Sequence, residues 1–176
     1  MRRRGKKAFT LVEIIVVVAL VGIVGAAIVS MIVPASNFFA RITDEVETKM
    51  KASQIMQTIV PQVRYAGELV VGNDYNQIGA EPDQRYLYTQ GGKMYLYRDG
   101  VSADLFSDDF YDGCIVEFGA QKLENNLMQL TLAVSLPDGE ARSELKTAVR
   151  VLNTQDIGGT EGAVLSYTWN EVPVGT

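Results

Sequence analysis

Glu13 is the only charged residue among the 25 positions from Phe9 to Val33. A carboxylate in so apolar a stretch can reach a polar boundary, take up a proton, or pair with a cation. At the centre of a bilayer it would cost about 2.5–3.5 kcal/mol, and less at the edge, where Glu13 lies. A second group of acids, Asp104, Asp108, Asp109 and Asp112, crowds one short segment. Hard cations such as calcium take several carboxylate oxygens on a flexible loop, so these four are the candidate metal ligands. Their spacing matches no EF-hand, so a solvated acidic loop is the preferred reading and a calcium site the weaker alternative. Cys114 is the single cysteine and opens an apolar strand. It reads as a buried thiol, with an intermolecular disulfide or a reactive thiol as alternatives.

Composition removes several kinds of chemistry. The chain of 176 residues has no histidine, so Ser-His-Asp and Cys-His machinery and His-ligated metals are excluded. One cysteine permits neither an internal disulfide nor a zinc knuckle. Beyond Ala8 there are eleven basic against twenty-one acidic residues, which argues against a general nucleic-acid binder. No phosphate-binding glycine loop, Ser-x-x-Lys pair or carboxylate cleft stands out, and no cofactor is expected.

The element that must position Glu13 is a long helix. Arg2, Arg3, Arg4, Lys6 and Lys7 precede it, and the 20 residues from Ile14 to Val33 carry no charge. At about 1.5 Å per residue such a helix is about 30 Å long, the thickness of a bilayer's hydrocarbon core. Its all-round apolar surface needs lipid or other apolar helices around it. The leading basic cluster predicts a cytoplasmic N-terminus with the bulk of the chain outside. A cleaved secretory signal is the competing reading, with Pro34-Ala35-Ser36 as a weak cut site, but its apolar region is usually about 7–15 residues. Pro34 either kinks the helix or marks the end of its membrane portion. Gly22 and Gly25 allow close helix contact or are merely tolerated.

The string Ala8-Phe9-Thr10-Leu11-Val12-Glu13, after Lys6-Lys7 and before the apolar run, closely resembles the leader of type IV prepilins and pseudopilins. The resemblance covers roughly residues 1–33. It implies that a membrane-bound prepilin peptidase cuts between Ala8 and Phe9 and methylates the new amino group of Phe9. It also implies that Glu13 neutralises the N-terminal ammonium of a neighbouring subunit during assembly. The family usually has glycine where Ala8 stands, although alanine is also small. Gly5 is the alternative cut point, but it would leave Lys6 and Lys7 on the mature end and misplace Glu13.

Residues 37–64 read as an amphipathic helix with a seam of Phe39, Ile42, Val46, Met56, Val60 and Val63, interrupted by Lys49 and Ser53. Asp44, Glu45, Glu47 and Lys51 are expected to face water. Pro61 bends or ends the helix and Gly67 closes it. Arg85–Gln90 and Lys93–Arg98 flank Gly91-Gly92, a hairpin whose Tyr86, Tyr88, Tyr95 and Tyr97 form cross-strand pairs. Those rings stabilise the sheet or, alternatively, offer a ligand-binding face. Further strands are expected at Cys114–Phe118, Leu127–Leu136 and Leu145–Leu152, and residues 153–176 are expected to be irregular. The fold class is therefore α+β, a long N-terminal helix on an antiparallel sheet of about five strands. The hairpin also resembles one in the heads of minor pilins, while the missing cysteine pair departs from many major pilins.

The expected organisation is a basic leader at 1–8, a transmembrane and filament-core helix at 9–33, an amphipathic continuation at 34–66 and a β-rich head at 67–176. The implied function is a non-enzymatic minor pilin or pseudopilin of a pilus, type II secretion or DNA-uptake system. Its implied partners are the prepilin peptidase, other pilin subunits and, before assembly, membrane lipid, with no nucleic acid. Its implied location is the cell membrane and then an extracellular filament. The alternative is an anchored extracellular binding module whose helix is never cleaved. An anchored enzyme is a remote third reading.

Overall fold

A computed structural model describes residues 10–79, 81, 83–137, 139 and 141–169. The chain forms two compact units, Met1–Thr43 and Asp44–Thr176. Helix α1 runs from Leu11 to Arg64. The helix continues through Pro34. Around that position the hydroxyls of Ser30 and Ser36 donate back to the carbonyls of Ala27 and Val33, at 2.7 and 2.9 Å.

In the first unit the apolar side chains of α1 are exposed on every side, from Leu11 through Val33. In the second unit the same helix has one buried stripe of Thr48, Ala52, Ile55, Met56, Ile59 and Val63. This corrects the seam expected from hydrophobic spacing. Phe39, Ile42 and Val46 are exposed. The contact begins at a hydroxyl and a methyl, Thr48 and Ala52, which large-apolar spacing does not mark, and continues through Ile55, Met56, Ile59 and Val63. Thr48 Oγ1 lies 2.7 Å from Ser143 Oγ, so this buried polar pair is mutually satisfied. Lys51 is also corrected. Its side chain is largely buried, and it donates to the Tyr111 carbonyl and to Cys114 Sγ while pairing with Glu47.

Tyr65 forms the turn after α1, and strand β1 (Ala66–Gly72) follows at once. Gly67 is therefore inside a strand and does not close the helix. The remaining elements are β2 (Gln84–Gln90), β3 (Lys93–Arg98), β4 (Val101–Asp104), α2 (Asp108–Tyr111), β5 (Ile115–Glu124), β6 (Leu127–Ser135), β7 (Arg142–Arg150), β8 (Glu161–Gly162) and β9 (Val164–Trp169). The α+β architecture, a long N-terminal helix followed by antiparallel sheets, is pilin-like. The strands divide into a five-stranded sheet, β1-β9-β2-β3-β4, and a four-stranded sheet, β7-β6-β5-β8. One core joins helix and sheets: Ile55 and Ile59 from α1, Leu87 and Leu165 from the first sheet, and Leu130 and Leu132 from the second.

The tail expected to be irregular supplies β9, which lies between β1 and β2. Its glycines serve close backbone approach. A Cβ on Gly162 would stand 2.0 Å from the Gly72 carbonyl oxygen, and one on Gly159, where φ is +74°, would stand 2.0 Å from that of Val71.

Two outcomes follow from this packing. Ile59→Ala should destabilise the second unit by about 2–5 kcal/mol. Gly159→Ala should destabilise it by more than about 1 kcal/mol, because the new methyl meets backbone in a left-handed conformation. Urea unfolding of the full chain in detergent, followed by near-ultraviolet circular dichroism, measures both.

Candidate functional site

Ala8 and Phe9 lie outside the described residues. The description begins at Thr10, which caps α1. The Glu13 N–H donates to both the Thr10 carbonyl and Thr10 Oγ1, at 3.1 and 3.3 Å. Thr10-Leu11-Val12-Glu13 has the spacing of a capping box, in which Ser or Thr at the N-cap bonds the third helical N–H. The four residues carry this signal by themselves, but it lies in backbone donors and not in the charge pattern. Glu13 sits in the first turn with its side chain exposed, where the helix dipole favours a negative charge.

The helix behind Glu13 is long and apolar enough to cross a membrane, with a mean hydropathy of 2.9 over its most apolar 18-residue window. None of that window is buried by protein. Geometry therefore supplies two features at the front of α1: a capped, acid-bearing first turn and an uncovered apolar surface behind it.

The aspartate group does not gather around a point. Asp104 ends β4, Asp108 and Asp109 occupy the first turn of α2, and Asp112 caps α2 in the left-handed region with φ 46°. Lys93 Nζ pairs with Asp108 at 2.5 Å, and this hydrogen bond raises the ammonium's pKa. The Asp104 carboxylate, hydrogen-bonded to the Tyr95 phenol, raises that phenol's pKa. Among the described residues no three acidic, cysteine or histidine side chains converge to hold a metal ion.

Cys114 is a buried free thiol, with Lys51 Nζ 3.3 Å from its sulfur. Burial alone would lower the pKa of Lys51; hydrogen bonds to Glu47 and Cys114 outweigh it and raise the value. The thiol is thus part of the seam between α1 and β5.

The tyrosine hairpin forms in the expected register, Tyr86 opposite Tyr97 and Tyr88 opposite Tyr95. The first pair packs edge to face at 5.7 Å between centroids and the second stacks at 5.5 Å. Tyr86 and Tyr88 are buried with Val164, under Ile78, and the Tyr88 hydroxyl lies 2.7 Å from Ser102 Oγ. These rings stabilise the sheet. An open polar groove of about 600 Å³ is lined by Glu68, Asp83, Arg85, Asp99 and Trp169. In it the Arg85 guanidinium lies 4.9 Å from the Trp169 ring centroid.

Comparison of the whole chain with curated proteins and with solved structures finds no match. A family model does match the N-terminal segment. Residues 3–29 carry the prokaryotic N-terminal methylation motif, the signature of type IV prepilins.

Proposed function

We propose that the chain is a structural subunit, a minor pilin or pseudopilin, cut between Ala8 and Phe9 and methylated on the amino nitrogen of Phe9. The observation that carries this reading is the methylation motif over residues 3–29, followed by a helix whose apolar surface no protein covers. The leader is residues 1–8, the membrane and filament-core helix 9–33, its continuation 34–66 and the head 67–176. The compact second unit begins earlier, at Asp44, so the last turns of α1 act as part of the head.

Cleavage would remove the five basic charges of the leader and place an ammonium on Phe9, four residues before Glu13. Before assembly, lipid covers the helix and the head lies outside the membrane. In a filament, neighbouring helices replace lipid. Glu13 then pairs with the Phe9 ammonium of an adjacent subunit. Opposite charges attract strongly in an apolar bundle, and an unpaired charge there is heavily penalised. A subunit added out of register leaves both groups unmatched, so Glu13 sets register. The chain supplies surfaces and a charge, not a reaction. Its single cysteine, which cannot close a disulfide loop, favours a minor pilin or pseudopilin over a major pilin.

Two variants at Glu13 separate its charge from its place in the helix cap. Glu13→Gln keeps a residue suited to the capping box but removes the charge, and Glu13→Ala removes both. Both should be processed normally, and both should enter sheared filaments at least about tenfold less than the parent, by immunoblot. Normal incorporation of the glutamine variant would refute the pairing. Ala8→Glu should block cleavage by putting a bulky charge at the scissile bond. Mass spectrometry of the N-terminus reads this. Processing of that variant at Phe9 would show the site to be misplaced, and an intact leader on the parent chain would favour the uncleaved anchored module.

A further inference from the structure

Among the described residues, each sheet of the second unit has a terminal strand with one unpaired edge: β4 in the five-stranded sheet and β7 in the four-stranded one. In the β3–β4 hairpin, Leu96 faces Ala103 and Arg98 faces Val101, and the Leu105 N–H donates to the Met94 carbonyl. By the alternation of an antiparallel ladder, the backbone groups of Ser102 and Asp104 point outward. In β6–β7, the hydrogen bonds Leu136–Ala141 and Val151–Asn126 set the same alternation. The outward backbone groups of β7 are therefore those of Arg142, Glu144, Lys146, Ala148 and Arg150. Such open edges are templates for another strand.

The two edges fit each other. All of β4 is exposed, and Val101 keeps 64% of its surface. Asp104 is the acid on the strand itself, while Asp99 and Asp108 beside it are paired with Arg98 and Lys93. The outer face of β7 carries Arg142, Lys146 and Arg150 against Glu144. Beside β7, Met56, Val60 and Pro61 of α1 and Leu145 and Thr147 of β7 line an open groove of about 390 Å³. An antiparallel register with Asp104 opposite Lys146 and Ser102 opposite Ala148 brings outward groups against outward groups on both strands. It sets opposite charges across from each other on one face. On the other face it places Ala103 beside Thr147 and Val101 beside Val149, towards the groove. Moving β4 two residues one way would oppose Asp104 to Glu144; moving it the other way would oppose it to uncharged Ala148. The present partners of these cations, Glu117 for Arg142 and Glu144 for Lys146, are exposed ion pairs at 2.9 Å. Such pairs are weak enough to be exchanged.

We infer that β4 of one copy of this chain adds to the β7 edge of a second copy, joining the five-stranded sheet of one molecule to the four-stranded sheet of the next. The contact uses a different surface on each partner, so it propagates head to tail. It goes beyond the function proposed above and requires neither cleavage at Ala8 nor Glu13, so its failure leaves that reading standing.

The test uses two differently tagged full-length chains, Ala103→Cys and Thr147→Cys, mixed in detergent and mildly oxidised. These positions face each other at a non-hydrogen-bonded pair, within the reach of a disulfide. A disulfide between the two tags is expected. Ala103→Cys with Gln129→Cys, on the inner strand β6, should give none. Adding Lys146→Glu should lower the cross-linked fraction about fivefold, and Asp104→Lys on the other chain should restore it. The inference is overturned by absence of the cross-link in chains with native near-ultraviolet spectra. An equal yield with Gln129→Cys, or a yield unmoved by the charge swap, overturns it as well.

Discussion

Water must be kept from the apolar surface of α1, and the chain does this for only part of the helix. From Thr48 to Val63 the helix hides one stripe against its own sheets. From Leu11 to Val33 it hides nothing, and large aliphatic side chains point outward on every side. Burial is worth about 25 cal/mol per Å² of apolar surface, so a surface this long is not left in water. The uncovered segment demands an apolar environment from outside the chain. Glu13 is meaningful only within that demand, since an acid on an ordinary wet helix would be unremarked.

The front of α1 was largely legible in the sequence, because charge and hydropathy change there over many residues. The roles proposed for Ala8, Phe9 and Glu13 come from the resemblance of their sequence to a prepilin leader, not from the helix geometry. What escaped was local: Thr10 as N-cap, visible only when the Thr-x-x-Glu spacing is read for backbone donors and not for charge. The Tyr86 and Tyr88 hairpin was legible for a similar reason. Alternation around Gly91-Gly92 fixes register within a few residues.

Long-range packing was less legible. The buried stripe of α1 begins with Thr48, whose hydroxyl is satisfied by Ser143, 95 residues away. No count of apolar spacing sees that partner. The charge of Lys51 predicts a side chain in water, yet its ammonium finds Glu47, a carbonyl and a thiol. The glycines of the tail look like loop residues and predict an irregular segment. Gly159 and Gly162 are needed instead because β1 passes too near for any side chain. The acidic residues from Asp104 to Asp112 formed a cluster in sequence but not in space, since a strand end and a short helix spread them apart.

The position of β9 has a consequence for synthesis. It is the last strand described, yet it is wedged between the first and the second, with Trp169 opposite Ala66. As the polypeptide leaves the ribosome, β6 and β7 can close a hairpin early. The five-stranded sheet must wait for a keystone made about a hundred residues after its first strand. A nascent chain therefore has its long apolar helix finished well before the second unit can set, and a chain stalled short of Val164 would keep β1 and β2 apart.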